Sequence, residues 1–424
     1  MFILYDFIFL AVALVHLPLY LFKRKFHSGF WMRLGVLPRG LNLNNPVWIH
    51  AVSVGEVMAV KNLLAQLRAA SADKKFFITT VTSTGNKIAK AIAKDTDFVG
   101  YLPFDFSFIV RSVMDRIKPS LFIIAETEIW PNLITCLYRK GVPVILVNGR
   151  ISDRSFKGYL AIKFLLKPVL NKISLFCVQT PSDAQRLRSL GVPGDKIKET
   201  GNMKFDNTGY ADKNISGSAD KYRALLELKE GEKLWVCGST HPGEEETILD
   251  VYQELIAEFP KLKLLIAPRH PERAGEIENA LSRYGFRAGL VSALPFKPCA
   301  CVSRPVFILD VIGELIYFYN IADMVFVGGS LVKKGGHNIL EPASAGKPVL
   351  IGPHTFNFRD IVRLFLDKEA CIVTHNREGL LKNIKELLNN PDIAGRLSQR
   401  AKLIISENKG ATARNLGYIR DYLR

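Results

Sequence analysis

Acidic residues are in short supply: 40 Asp and Glu stand against 57 Lys and Arg, for a net charge of +17. That deficit calls for an anionic partner, whether nucleic acid, a phosphorylated ligand or an acidic membrane surface. Cysteine is scarce too. The six present, Cys136, Cys177, Cys237, Cys299, Cys301 and Cys371, lie mostly in apolar runs, as suits buried thiols in a reducing compartment. Cys299 and Cys301 have no second Cys/His pair at zinc-finger spacing, so no structural zinc is expected. The histidines His50, His241, His270, His337 and His354 are scattered and no two stand at i, i+4, which favours solvated or supporting roles over metal ligation. Walker and GxGxxG loops are absent, since Gly328, Gly329, Gly335 and Gly336 fit neither spacing. The basic residues follow no recognised nucleic-acid motif, so no nucleic-acid partner is expected.

The one long hydrophobic run is residues 1–22, followed at once by Lys23, Arg24 and Lys25. It has the length to cross a bilayer core. A cleavable leader puts positive charge before its apolar run, the reverse of this order, so the segment is expected to be retained. The basic cluster behind it assigns the remaining chain to the cytoplasm. Asp6, His16 and Pro18 are costly in hydrocarbon, which keeps open a helix lying in the interface or a buried first helix.

From residue 47 onward, short β-rich runs alternate with amphipathic stretches. Strands are expected at 47–52, 76–81, 98–102, 121–125, 142–147 and 175–178, with helices at 55–70, 106–117 and 129–140. A second series follows, with strands at 234–238, 262–267, 306–309, 324–327, 348–351 and 371–374. Such alternation predicts two tandem doubly wound parallel sheets. The divisions expected are a membrane segment over 1–25, a first domain over 26–206, a polar linker over 207–220, a second domain over 221–410, and a C-terminal helix over 411–424 free to return to the first domain.

The stretch WIHAVSVGEVM, residues 48–58, carries a strand into a sharp turn and a helix whose first turn holds Glu56. Ligands of open α/β sheets sit beyond the carboxyl ends of strands, so Glu56 is either a catalytic acid or one that complements the helix dipole. Glu126 and Glu128 lie just beyond the strand at 121–125; if extended, both point one way, into the crevice holding Glu56. Thr82 to Gly85 could bind an anion or cap a helix. Asp95-Thr-Asp97 is read as a turn rather than a metal motif. Residues 150–172 interleave Arg150, Arg154, Lys157, Lys163, Lys167 and Lys172 with Phe156, Tyr159, Leu160, Phe164 and Leu165, a mixture that suits an anionic lipid surface or a helix face packed on the sheet. In the second half, glycine-rich strand ends at 238–244, 268–271, 310–315 and 328–343 suit a phosphorylated ligand held by backbone amides, with Arg269 as a planar donor fork.

Taken in order behind the apolar segment, HAVSVGE, ETEIWPN, GNMKFD, PRHPER, DVIGEL and GGHNILEPA make the chain resemble the 3-deoxy-D-manno-octulosonic acid (Kdo) transferases of lipopolysaccharide assembly. The resemblance spans nearly the whole chain and implies an α/β architecture of the GT-B type, two Rossmann-like domains with a cleft between them. It implies transfer of Kdo from CMP-Kdo to a lipid A precursor at the inner face of the cytoplasmic membrane, with inversion and with no cofactor or obligatory metal. Glu56 then corresponds to the general base, and Glu126 with Lys204 to the pair that stabilises the transition state. Pro268 and Arg269, Ile312, Gly313 and Glu314, and Asn338, Ile339, Leu340 and Glu341 correspond to the segments that hold CMP; the motif at 310–312 varies here to Asp310-Val-Ile. Kept open beside this are another sugar-nucleotide enzyme of the GT-B fold, such as a heptosyl or N-acetylglucosaminyl transferase or an epimerase, and a membrane-attached binding protein without turnover.

Overall fold

The computed structural model describes residues 5–7, 9–11, 29–208, 216–294 and 305–423. Most of the expected membrane segment, part of the linker, and Cys299 and Cys301 fall outside the described residues. Among the described residues no helix is long and apolar enough to cross a membrane. The chain divides into two units, residues 1–207 with 408–424, and residues 208–407.

In the first unit seven parallel strands run in chain order: β1 Val47–His50, β2 Phe76–Thr80, β3 Phe98–Tyr101, β4 Leu121–Ala125, β5 Val144–Gly149, β6 Leu175–Val178 and β7 Ile197–Glu199. The helices between them are α1 Val54–Ala70, α2 Ser83–Ile92, α3 Ser107–Ile117, α4 Pro131–Arg139, α5 Asp153–Ala161, α6 Lys163–Leu170 and α7 Pro181–Ser189. The sheet order is β3-β2-β1-β4-β5-β6-β7. Successive side chains of a strand face opposite ways, and both faces here are covered, which is why the strands read as unbroken apolar runs. Trp48, Phe122, Ile124 and Leu146 enter one core layer. Val47, Ile49, Leu121, Ile123 and Ile145 enter the other. Because β2 and β4 flank β1, the connections diverge between β1 and β4 and open a crevice at the carboxyl ends of those two strands.

The second unit repeats the plan with β8 Lys233–Thr240, β9 Leu262–Pro268, β10 Ala288–Leu290, β11 Val306–Ile308, β12 Met324–Val327, β13 Val349–Ile351 and β14 Ile372–Val373, in the order β10-β11-β9-β8-β12-β13-β14. Its helices include α8 Ala219–Leu225, α9 Glu244–Glu258, α10 Ala274–Arg283, α11 Leu315–Ile321 and α12 Leu340–Ser344. The divergence now falls between β8 and β12. Beyond α13 Arg359–Asp367, α14 Arg377–Asn389 and α15 Pro391–Asn408, the final helix α16 Ala411–Ile419 belongs to the first unit. There Ala411, Leu416 and Ile419 join the core layer under α1.

Two short polar features anchor this arrangement. Asp206 accepts from the amides of Gly410 (2.7 Å) and Thr412 (2.6 Å), satisfying donors at the start of α16. Asp6 accepts from Ser107 N at 3.1 Å and Asn132 Nδ2 at 2.7 Å, so its charge rests on hydrogen bonds from α3 and α4.

Candidate active site

The crevice beyond β1 and β4 gathers acids from two loops. Ser53 stands before α1 without capping it; its hydroxyl donates instead to Glu56 Oε1 (3.0 Å), while the Val52 amide donates to Oε2 (2.7 Å). These two bonds fix the Glu56 carboxylate at the mouth of the turn. Burial, the largest influence, pushes its pKa up to about 7; the two hydrogen bonds pull down, and the charges of Glu126 and Glu128 push further up. The dipole of α1 favours the ionised form and lowers its basicity. Desolvation outweighs it, leaving a carboxylate that can take a proton near neutral pH.

Glu126 corrects the expectation of an extended pair. Its φ is +58°, in the left-handed region, so the chain turns sharply on leaving β4. Glu126 and Glu128 nevertheless both line a cavity of about 210 Å³ together with Glu56, Thr127, Arg150, Ser152, Ser155 and Tyr159. Burial, then the charge of Glu126, raises the pKa of Glu128. Opposite charge comes from Lys204, whose Nζ lies 2.9 Å from Glu126 Oε1.

The GNMKFD segment explains how Lys204 is aimed. Asn202 Oδ1 accepts from the Lys204 amide (2.9 Å), starting the 3₁₀ turn Met203–Asp206. The Met203 amide donates to Asn148 Oδ1 near the end of β5 (2.9 Å), and the Met203 and Phe205 side chains are buried. Lys204 is therefore directed by neighbours that point the other way. Residues that sequence reasoning had not placed here are Thr127, Arg150, Ser152, Ser155 and Tyr159. The Thr127 hydroxyl bonds both the amide and the carbonyl of Arg150, pinning the loop after β5 to the loop after β4. That Ser152 and Ser155 follow a strand was the available signal.

Elsewhere in this unit Thr82 caps α2 by accepting from Gly85 N (3.0 Å). Asp97 is spent on Arg68 and the Lys94 amide, as a turn residue. His50 is fully buried against Thr79, away from solvent, and burial lowers its pKa to about 3.

In the second unit the glycine loop after β12 was expected to offer its amides to a ligand. The structure corrects this. Glu244, fully buried at the start of α9, accepts from Gly329 N (2.7 Å), Ser330 N (3.0 Å), Leu331 N (2.9 Å) and His241 N (2.9 Å). The anion in that nest is the protein's own. The histidines are not all scattered either: His241 and His337 meet, Nε2 to Nε2, at 2.9 Å with rings inclined by 6°. Pro268 ends β9 buried while Arg269 beyond it is exposed. Ile312 is exposed, Gly313 has φ +89°, and Glu314 accepts from the Tyr222 hydroxyl. Ile339 and Leu340 are buried, so they can offer only backbone to a ligand. Asn338 Nδ2 donates to Glu341 Oε1 (3.1 Å), and Asn338 Oδ1 accepts from Leu340 N (3.1 Å). Among the described residues no group of three or more His, Cys, Asp or Glu side chains is placed to hold a metal ion.

A family model described as 3-deoxy-D-manno-octulosonic-acid transferase (kdotransferase) matches residues 28–207, and one for glycosyl transferases group 1 matches residues 305–404. A 3-deoxy-D-manno-octulosonic acid transferase of Haemophilus influenzae is 37% identical over 89% of this chain and 87% of its own. The chain belongs to the 3-deoxy-D-manno-octulosonic acid transferase family. It is a glycosyltransferase. A family member from Chlamydophila psittaci is 31% identical and aligns over 99% of this chain and 96% of its own. Among solved structures, a putative UDP-N-acetylglucosamine 2-epimerase from Listeria monocytogenes superposes with a TM-score of 0.58 at 14% identity, covering 89% of this chain and 96% of that one. A glycosyltransferase from Rickettsia africae gives 0.54 at 12%, covering 90% and 99%. Likeness at such identities speaks to the fold alone, two parallel-sheet α/β domains as in glycosyltransferases of the GT-B type.

Proposed function

We propose that this member of the family transfers Kdo from CMP-Kdo to a hydroxyl of a lipid A precursor, with inversion and without a metal ion, on the cytoplasmic side of the inner membrane. The observation that carries the reading is the cavity in which Glu56, with a pKa near 7, shares walls with Glu126, itself paired to Lys204. Glu56 takes the proton of the acceptor hydroxyl as that oxygen attacks the anomeric carbon from the face opposite the leaving CMP. The oxygen–carbon bond forms, the carbon–oxygen bond to phosphate breaks, and its electron pair leaves with CMP. Lys204, held on Glu126, supplies fixed positive charge beside the acids and stabilises the anionic sugar in the transition state. Arg269 and the segments at 312–314 and 338–341 hold the nucleotide, with Arg269 balancing phosphate charge as a metal would elsewhere.

Membrane contact is supported by α5 and α6. Leu160, Ile162, Phe164 and Leu165 are exposed beside the equally exposed Arg154, Lys157, Lys163 and Lys167. Basic and apolar side chains on one exposed stretch suit an anionic bilayer.

The test is to incubate the enzyme with CMP-Kdo and tetraacyl lipid A precursor in chelator and read the product mass. Addition of Kdo, lost in Glu56→Ala, is expected; unchanged turnover in that variant would overturn the mechanism, and dependence on a divalent ion would overturn the metal-free reading. Thermal protection by UDP- or ADP-sugars but not by CMP would favour a different sugar nucleotide.

A further inference from the structure

The crevice at the carboxyl ends of β8 and β12 is the second unit's counterpart of the one holding Glu56, and its walls are held together from inside. Glu244 ties the turn after β8 to the loop after β12 through four amides. Two glycines make room for this. A Cβ on Gly328 would stand 2.7 Å from Thr240 Cα, and one on Gly329, at φ +68°, would stand 2.9 Å from His337 Cδ2 and 3.3 Å from His241 Cδ2. The clamp therefore delivers two imidazoles, from loops far apart in sequence, edge to edge and nearly coplanar.

Two ring nitrogens 2.9 Å apart attract each other only when one of them carries a hydrogen. Two N–H groups would repel, and so would two bare lone pairs. The contact thus requires a single shared proton between the Nε2 atoms and leaves the Nδ1 atoms as the outward groups. In the neutral pair one Nδ1 donates and the other accepts. Addition of one proton converts both into donors while the shared hydrogen stays in place.

The surroundings specify what would drive that addition. Arg269 and His270 face the pair from the loop after β9, Lys334 from the loop after β12, and Arg273 from the start of α10. The nearest acids are committed: Glu244 to the amides, and Glu245 to Arg273 at 2.8 Å. Burial, followed by the neighbouring cations, lowers both imidazoles, His337 to about 4, so the pair carries no net charge at neutral pH. The groups around it are cationic, which disfavours a metal ion and favours an anion.

We propose that His241 and His337 form a single-proton relay that binds the phosphate of the nucleotide donor and takes up one proton as it does so. This deepens the donor reading given above and rests on it. The singly protonated pair, with one hydrogen still shared between the Nε2 atoms, presents two Nδ1–H donors to the phosphate. When the bond from the sugar's anomeric carbon to the phosphate oxygen breaks, the new negative charge meets donors already in place, and the acceptor's proton goes to Glu56 as before. Release of CMP returns the extra proton to water, so the cycle balances.

The test is calorimetric titration of the full-length enzyme with CMP at about pH 7 in two phosphate-free buffers of different ionisation enthalpy, which counts protons exchanged per ligand. Wild type is expected to take up about one proton more per CMP than His337→Asn, a difference that cancels the nucleotide's own ionisation. Cytidine, which lacks the phosphate, should bind both proteins equally and without this difference, which also establishes that the variant is folded. Free Kdo separates the other anion of the donor. Equal proton counts for CMP in the two proteins overturn the relay and leave the donor reading intact. Uptake with free Kdo but not CMP overturns the assignment to phosphate, and failure of CMP to bind wild type overturns both readings.

Discussion

Lys204 and Glu126 meet at 2.9 Å although one lies in a 3₁₀ turn after the edge strand β7 and the other follows the central strand β4. Each is about three-quarters withdrawn from solvent. The ammonium sits directly on Glu126, in a cavity that Arg150 also lines.

If this pair acts as a unit, its parts are not additive. Lys204→Ala and Glu126→Gln are each expected to lower kcat by about 10²-fold or more, the scale of losing one oriented charge in a desolvated site. The double variant should be little worse than either single one. Steady-state kinetics on the three proteins measures this; multiplicative losses would mean the residues act separately.

Glu56 yields a pH prediction with a definite sign. Its folded pKa, about 7, lies above its ordinary value of 4.5. As the proposed base it must be ionised, so kcat/KM is expected to rise with pH and level off above about 7. Stability runs the opposite way. The unfolded carboxyl loses its proton near 4.5 while the folded one keeps it to about 7, so this group's contribution is full below 4.5 and falls as pH rises to 7. Glu56→Gln should therefore be inactive, and more stable than wild type at pH 8 by a few degrees in Tm, with the gap closing by pH 4.

Glu244 is bound on every side by backbone amides. Substituting Gln puts an NH₂ group against backbone donors, and Ala leaves four amides without a partner. Either change should cost on the order of 3 kcal/mol or more. Hydrogen exchange at Gly329, Ser330 and Leu331 is the direct measure: these amides should lose protection in Glu244→Ala before the strands of the second sheet do.

The two parallel sheets were legible because strands covered on both faces must be apolar throughout, as 121–125 and 324–327 are. The edge strands β7 and β10 were not. Three residues long and partly exposed, they carry Lys198 and Glu199, or Gly289, where a buried strand would carry Val or Ile. Glu56 stood out because a strand, a turn and a helix mark its place. The turn at Glu126 did not, since a left-handed φ at a glutamate is imposed by surrounding packing and leaves no mark in composition. Likewise the His241–His337 contact joins two strand ends that become neighbours only when β8 pairs with β12; local spacing rules see one helix face at a time. Glu244 stood at the end of a glycine-rich stretch expected to hold a ligand, and only the fold reveals that its neighbours in space are amides.

Asp206→Ala removes the acceptor for the Gly410 and Thr412 amides. A drop of several degrees in Tm is expected, with KM for CMP-Kdo changed less than two-fold, because the segments proposed to hold the nucleotide lie in the other unit. Loss of donor affinity without loss of stability would count against this assignment.

That α16 sits in the first unit's core has a consequence for biosynthesis. A ribosome working from the amino terminus produces the first unit's sheet first, yet the side chains that close its lower layer, Ala411, Leu416 and Ile419, are translated last. The nascent first unit must wait with an open apolar face while residues 208–407, continuous in sequence, emerge and can fold. A chain truncated by premature termination lacks the cover of Glu56's own helix. Quality control that recognises bare hydrophobic surface would thus discard incomplete copies before any could act on substrate.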